Sequence, residues 1–153
     1  MSTSNVTLVK NWFKAGLWTE PALSMVTSDV QWILPATITT AVLDGRSLVG
    51  AGGLRELGYL SHAMYADRQP PTVQFWVEAE NWVVMQNRVN ATLHNGASYS
   101  NSYCFTFRID LGKVAEVHEH FDSKLLYDLA MGTPEDLAGV RERIEHARVA
   151  DGA

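Results

Sequence analysis

Three strand-like stretches, VVMQNRVNATL (83–93), YSNSYCFTFRI (99–109) and VAEVHEHFD (114–122), decide the fold of this chain. They are rich in Val, Tyr, Phe and Thr, and two glycine-bearing turns, HNGAS (94–98) and DLGK (110–113), separate them. Runs of β-branched and aromatic residues that alternate with short turns are typical of an antiparallel meander. The sequence therefore predicts three consecutive antiparallel strands.

Glu119 is the residue of this meander that most needs an explanation. Successive side chains of a strand point to opposite faces, so Glu119 shares a face with Ala115, Val117 and Phe121. The opposite face of the same strand is wholly polar and carries Glu116, His118, His120 and Asp122. A carboxylate among apolar neighbours is costly unless it is paired, neutral or used in function. We predict that Glu119 is a pocket acid or base; the alternative is a solvent-facing or salt-bridged carboxylate.

Helical spacing of apolar residues occurs on both sides of the meander. It predicts helices at 6–17, 22–26, 53–65, 124–131 and 134–146, with strands at 29–34 and 72–80, a loop at 36–46, a turn at 67–71 and a frayed tail at 147–153. This order predicts one α+β domain over residues 1–153, with helices packed on one face of a curved sheet. Such a sheet leaves a cone in which a small apolar molecule fits.

The composition excludes several classes of function. The chain of 153 residues has a net charge of -5 and no basic run, so no nucleic acid partner is predicted. Its single cysteine, Cys104, rules out an internal disulfide. No stretch has the form of a signal peptide, and no apolar run is long enough to span a bilayer. We therefore expect a soluble, cytoplasmic protein without a membrane partner.

Three short segments, YSNSY (99–103), DLGK (110–113) and HEHFD (118–122), carry a resemblance to a known superfamily. Together with the order of helices and strands, they resemble the SnoaL-like branch of the nuclear-transport-factor-2-like superfamily over nearly the whole chain. The resemblance implies a cystatin-like α+β barrel: a cone-shaped antiparallel sheet packed against N-terminal helices, here with an extra C-terminal helix. The superfamily includes ketosteroid isomerases, polyketide cyclases, scytalone dehydratase, limonene-epoxide hydrolases, phenazine-biosynthesis proteins and non-enzymatic binding domains.

Two branches of the superfamily indicate which residues line the cone. Limonene-epoxide hydrolases carry Arg-x-Asp where this chain has Arg88-Val89-Asn90, and an acid three residues before an Asp, as Glu119 stands before Asp122. Phenazine-biosynthesis proteins of the A/B type have a pocket Glu at the position of Glu119. The water-positioning Tyr and Asn of the epoxide hydrolases fall on Trp32 and Leu34, and the ketosteroid isomerase base also falls on Leu34.

Combined with strand parity, the resemblance gives a candidate site. The candidate catalytic residues are Glu119 as proton shuttle, Arg88 to orient it, Asn90 to polarise a carbonyl, and Tyr103 as a second acid. The ligand-binding candidates are Trp32, Leu34, Thr92, Asn101, Phe105, Val117 and Phe121. In this assignment the even-numbered set from Gln86 to Thr92 faces the cone, and Val89, Ala91 and Leu93 face away.

These residues predict a cofactor-independent enzyme that uses general acid–base chemistry on a small, largely apolar organic molecule. The reactions that fit are isomerisation, cyclisation and dehydration. The alternatives are a non-catalytic ligand-binding or protein-interaction module, and an epoxide hydrolase with an altered triad.

No metal site is predicted. His118 and His120 lie two residues apart on one strand face and could reach one ion, but no third ligand has supportive spacing. Because Glu119 and Phe121 take the inward positions, we expect both histidines to point away from the cavity. A homodimer is expected through the convex face of the sheet, where Val89, Ala91, Leu93 and Cys104 are the candidate contacts.

Overall fold

The computed structural model describes residues 4–152. The strands are β1 (Val26–Ile33), β2 (Leu48–Val49), β3 (Tyr65–Arg68), β4 (Thr72–Ala79), β5 (Trp82–Leu93), β6 (Ser98–Asp110) and β7 (Lys113–Phe121). The helices are α1 (Asn5–Ala15), α2 (Glu20–Leu23), α3 (Ala36–Val42), α4 (Gly50–Met64), α5 (Ser123–Met131) and α6 (Pro134–Ala150). No helix within the described range is long and apolar enough to cross a membrane.

The strands form one strongly curled sheet in the order β2-β1-β7-β6-β5-β3, and β4 also pairs with β5. The predicted meander is confirmed, because β5, β6 and β7 pair antiparallel, with Phe105 opposite Glu119. β1 lies parallel to β7 and sets Trp32 opposite Val117. The sheet curls into a half-barrel that packs against the helices, so the predicted α+β class with its cone-shaped sheet and C-terminal helix is confirmed.

The first helix closes one side of the concave face and fixes its aromatic lining. Ser4 caps α1 by accepting a hydrogen bond from the Thr7 N–H, and Gly16 ends the helix with a left-handed φ of 94°. Trp12 is fully buried in the middle of α1, and its indole lies 6.0 Å from that of Trp32. α1 therefore holds Trp32 of β1 in place.

Three local predictions were wrong, and tertiary contacts explain each. Residues 36–42 form α3 rather than a loop, because Ile38 and Val42 lie one turn apart and bury one face. The predicted turn at 67–71 begins inside β3, which pairs with β5. The predicted tail from residue 147 is helical to Ala150, and Ala153 lies outside the described residues.

The last turn of α6 is ordered by contacts with α4. The Arg148 guanidinium donates to Glu56 at 2.7 Å, and the Tyr59 hydroxyl donates to Asp151 at 2.6 Å. The two partners of each contact are 92 residues apart in the chain, so no local sequence pattern predicts these contacts.

A close backbone approach fixes α4 above the sheet. A Cβ added at Gly53 would lie 2.5 Å from the Leu48 carbonyl carbon, whereas one added at Gly52 would have nothing within 4 Å. Only glycine fits at position 53 without moving β2 and α4 apart. Because α4 carries Leu57, Leu60 and Ser61 over the concave face, this contact sets the depth of the cone.

The two adjacent glycines make a matched test of this packing. Gly53→Ala should lower the free energy of unfolding by about 1–3 kcal/mol, because the added methyl overlaps backbone that has nowhere to move. Gly52→Ala should raise it by up to about 1 kcal/mol, because alanine restricts the unfolded chain and favours helix. Urea denaturation of both variants measures the difference, and equal effects would contradict the close contact.

Candidate functional site

A cavity of about 330 Å³ lies between the concave face of the sheet and the helices. Most of its wall is apolar and aromatic, with Phe13, Trp18, Trp32, Phe105 and Phe121 among the lining residues. The polar side chains of the wall are Ser61, Tyr65, Arg68, Asn87, Tyr103 and Glu119. A cavity of this size, mostly apolar with few polar groups, is typical of a site for a small organic molecule.

Glu119 reaches this cavity from β7, near the centre of the sheet. Glu119 is paired with Phe105 on the neighbouring strand β6. One oxygen of Glu119, Oε2, accepts a hydrogen bond of 2.7 Å from the Trp32 indole N–H. Trp32 is 4% exposed and is held between Trp12 and Phe105, each with a ring centroid 6.0 Å away. The direction of the carboxyl group is therefore set by a rigid aromatic neighbour.

Burial controls the ionisation of this carboxyl group. Removal from water raises the pKa of Glu119 from its ordinary value of 4.5 to about 7. The hydrogen bond from Trp32 and the positive charge of Arg68 both act in the opposite direction, because each stabilises the carboxylate. Near neutral pH the protonated and ionised forms are thus both populated.

The two oxygens of Glu119 have different surroundings. An indole N–H only donates, so Trp32 always engages Oε2 as an acceptor. Within residues 4–152, Oε1 takes part in no hydrogen bond. Oε1 is therefore the atom through which Glu119 can exchange a proton with a molecule in the cavity.

Three tyrosine hydroxyls form a chain beside the carboxyl group. The Asn101 amide donates to the Tyr99 hydroxyl at 2.8 Å, the Tyr99 and Tyr103 hydroxyls are 2.6 Å apart, and Tyr103 lies 3.2 Å from that of Tyr65. Because Tyr99 accepts from Asn101, its own hydrogen is best placed toward Tyr103. The Tyr103 hydrogen is then left for Tyr65 or for a ligand oxygen.

Burial keeps these tyrosines neutral. It raises the pKa of Tyr65, Tyr99 and Tyr103 above the ordinary value, so all three remain hydrogen-bond donors at physiological pH. The hydrogen bond between the Tyr99 and Tyr103 hydroxyls polarises both groups.

The segment after α1 forms part of the wall. Leu17 has a left-handed φ of 49°, and its carbonyl accepts a hydrogen bond of 3.0 Å from the Trp12 indole. This turn brings Trp18 against α4, where a Cβ added at Gly58 would come within 3.0 Å of the Trp18 ring. A small residue at position 58 is thus what lets the indole lie flat on α4.

The structure brings together about half of the residues predicted from the sequence. Glu119, Tyr103, Trp32, Leu34, Phe105 and Phe121 all line the cavity. Asn101 is buried behind it, where it donates to Tyr99 and to the Asp122 carbonyl. Val117 lies on the inner face and is fully buried beneath the lining.

Arg88, Asn90 and Thr92 were assigned to the wrong face. All three are exposed on the outer face of β5, and Arg88 donates to the Ser100 hydroxyl at 2.9 Å. The inward positions belong to the alternate set, so Asn87 and Val89 line the cavity instead. Strand geometry forces this result, because Asn87 is paired with Tyr103 and paired residues share a face. The altered epoxide-hydrolase triad is therefore not assembled.

The outer face of the sheet therefore carries a different set of residues from the one predicted. Val89 and Leu93 are buried on the inner side, and Ala91 is half-buried on it. Cys104 is on the outer side, as predicted, together with His118 and His120. His118 pairs with Glu116 on this face. The large apolar residues that the outer face exposes are Ile33, Val49, Phe75, Val77 and Trp82.

Four polar residues of the cavity wall were not predicted from the sequence: Ser61, Tyr65, Arg68 and Asn87. For Asn87 a signal exists, because its parity set in β5 (Val83, Met85, Val89, Ala91 and Leu93) is otherwise apolar. Tyr65 and Arg68 belong to a strand that was interpreted as the end of a helix and a turn.

Comparison with known proteins identifies the fold. No family model matches the sequence, and no curated protein matches it. Similar solved structures include an NTF2-like protein of unknown function from Burkholderia pseudomallei, with 17% identity, coverage of 85% of this chain and 99% of that one, and a TM-score of 0.72. TerC, co-crystallised with polyporic acid, has 19% identity, coverage of 83% and 98%, and a TM-score of 0.70.

A third similar structure is a protein with a ketosteroid isomerase-like fold from Catenulispora acidiphila, in complex with trimethylamine. It has 14% identity, coverage of 88% of this chain and 98% of that one, and a TM-score of 0.63. The chain therefore has the fold of the nuclear-transport-factor-2-like superfamily, and the resemblance inferred from the sequence is confirmed at the level of the fold.

The raised pKa of Glu119 should appear as a pH-dependent loss of stability. Below about pH 4.5 the carboxyl group is protonated in both the folded and the unfolded chain, and no penalty arises. Between pH 4.5 and about 7 only the unfolded chain ionises, so the folded state progressively loses about 3 kcal/mol relative to Glu119→Gln. Urea denaturation from pH 4 to 8.5 measures this difference.

A matched control for this titration is Glu116→Gln, which removes a carboxylate from the outer face of the same strand. The pH-dependent gain should be seen with Glu119→Gln and not with the control. A stability difference between wild type and Glu119→Gln that stays constant from pH 4 to 8.5 would contradict the buried ionisation.

Removing the indole donor should raise the pKa of Glu119 further. Trp32→Phe keeps a ring at this position but leaves Oε2 without the hydrogen bond that stabilises its charge. Infrared titration of the Glu119 carbonyl band, identified by its loss in Glu119→Gln, should then show a midpoint above the wild-type value. Trp82→Phe on the outer face is the control, and an unmoved midpoint in Trp32→Phe would contradict the role of the indole.

Proposed function

We propose that this chain is a cofactor-independent enzyme that transfers a proton within a small, largely apolar molecule, with Glu119 as the acid–base residue. The observation that carries the proposal is the Glu119 carboxyl group, which lines an apolar cavity with a pKa of about 7 and with one oxygen fixed by Trp32. General acid–base catalysis is most effective when the pKa of the group lies near the working pH.

The hydroxyl chain supports a second part of the mechanism. Removing a proton next to a carbonyl group places negative charge on the carbonyl oxygen, and a positioned donor stabilises that charge. Tyr103, polarised by Tyr99, offers such a donor in the same cavity as Glu119. The arrangement favours isomerisation, cyclisation or dehydration of a carbonyl compound, since each of these can proceed through an enol or enolate.

The ligands of similar structures support a small organic molecule as the substrate. TerC was co-crystallised with polyporic acid, and the Catenulispora acidiphila protein is in complex with trimethylamine. The volume of this cavity, about 330 Å³, favours a ring-containing molecule, because it is much larger than trimethylamine and its aromatic wall packs well against flat rings.

A test of proton transfer does not need the natural substrate. 5-Nitrobenzisoxazole loses a C–H proton to a base while its N–O bond breaks, which yields a coloured cyanophenolate and requires no other group. Wild type should accelerate this ring opening with a rate that rises through about pH 7 as Glu119 ionises. Glu119→Gln should reduce the rate by about 10²–10⁴-fold, which is the usual contribution of an acid–base residue.

Glu116→Gln serves as the control, since it removes a charge from the same strand outside the cavity, and its rate should equal that of wild type. Equal rates for wild type and Glu119→Gln would count against the enzyme and favour the alternative, a non-catalytic module that binds a small ligand in the same cavity.

Self-association and a cytoplasmic location stay predictions. On the outer sheet face, Phe75, Val77 and Trp82 are exposed together on the paired strands β4 and β5, and apolar residues grouped on a sheet face are typical of an interface between subunits. These residues replace Val89, Ala91 and Leu93 as the candidate contacts of a homodimer.

A further inference from the structure

Asn87 is a buried side chain without a hydrogen-bond partner among residues 4–152. It is 4% exposed and lines the cavity from β5. Its Oδ1 is buried and accepts no hydrogen bond, and no side-chain hydrogen bond within residues 4–152 involves Asn87. Proteins pair almost all buried polar groups, so this exception calls for a cause.

The other buried amide of the chain shows the contrast. Asn101 is 6% exposed, and its Nδ2 donates both to the Tyr99 hydroxyl and to the Asp122 carbonyl. Asn101 thus ties β6 to the end of β7 and orients the tyrosine chain. Asn87 makes no comparable contact among residues 4–152, so a leucine of nearly the same shape would avoid the cost of burying its Oδ1 without a partner.

The position of Asn87 relative to the reactive group is set by the sheet. Asn87 lies directly opposite Tyr103 on β6, while Glu119 lies on β7, two strands from β5. Adjacent strands are about 4.8 Å apart and Glu119 lies two residues, about 6.7 Å, along the strand from the row of Asn87, so their backbones are separated by roughly 12 Å across the concave face. A ligand of two fused rings can contact the amide at one end and the carboxyl group at the other.

We propose that Asn87 binds a hydroxyl group of a ring-containing ligand and determines specificity for that group. Rotation of the amide exchanges Oδ1 and Nδ2, so Asn87 can present either an acceptor or a donor to the cavity, and a hydroxyl both donates to an amide oxygen and accepts from an amide nitrogen. The ligand class is a hydroxylated compound of two or more rings, such as a phenol, an enol or a cyclic alcohol. The inference rests on the proposed function only in taking this cavity as the ligand site.

The test compares two probes that differ in one group, 2-naphthol and 2-methylnaphthalene, in titrations followed by tryptophan fluorescence. Asn87→Leu removes the amide and keeps its shape. It should weaken binding of 2-naphthol by roughly 5- to 100-fold more than binding of 2-methylnaphthalene, as expected for a hydrogen bond in a dry site. Asn90→Leu on the outer face of the same strand should leave both affinities unchanged.

Thermal unfolding without ligand gives a second readout. Asn87→Leu should raise Tm, because an unpartnered amide is replaced by an apolar group, and Asn90→Leu should not. A lower Tm in Asn87→Leu would mean that the amide is paired inside the protein, which would overturn the inference. Equal losses for the two probes, or no binding of 2-naphthol to wild type, would also overturn it.

The binding test of Asn87 and the proton-transfer test of Glu119 can succeed or fail independently. The titrations measure binding alone, whereas the Glu119→Gln comparison measures proton transfer. A probe preference that depends on Asn87, without catalysis by Glu119, supports the hydroxyl site in a binding module.

Discussion

The hydrogen bond from the Trp32 indole to Glu119 is the interaction on which the site depends. It requires the parallel pairing of β1 with β7, which brings the two residues to one part of the concave face. It also requires α1, whose Trp12 packs against Trp32 and limits its orientation. A carboxyl group in an apolar cavity would otherwise be free to turn toward solvent. The aromatic core thus acts on the chemistry by fixing one oxygen of the acid.

The cavity wall is mostly apolar, and its few polar groups differ in whether they have hydrogen-bond partners within the protein. Asn101 and Tyr99 are satisfied by partners within the protein, and they hold Tyr103 in a set direction. Among residues 4–152, Glu119 has a hydrogen-bond partner on one oxygen only, and the side chain of Asn87 has none. These two groups therefore keep unused hydrogen-bonding capacity at the cavity wall, whereas Asn101 and Tyr99 use theirs within the protein.

The sequence was informative wherever two independent patterns agreed. The meander strands were predicted to within one residue of β5, β6 and β7, because turn residues and β-branched runs gave the same boundaries. Glu119 was assigned to the inner face because its own parity set is otherwise apolar. In β5 the two sources disagreed: the alternation favoured Asn87 inside, while the Arg-x-Asp resemblance favoured Arg88 and Asn90. The alternation was right, since burial of five apolar residues outweighs a short motif.

Helix α3 could not be predicted from its own sequence. Its threonine-rich sequence has weak helical propensity, and only burial against the rest of the molecule stabilises it. The pairing of β1 with β7 is likewise not predicted by any local sequence pattern. It also has a consequence for the kinetics of folding. The meander closes through turns of a few residues, whereas Trp32 and Glu119 are 87 positions apart. Loop closure over such a distance carries a larger entropic cost and slows folding. We therefore expect the pairing of β1 with β7, and with it the contact between Trp32 and Glu119, to form after the meander strands have paired.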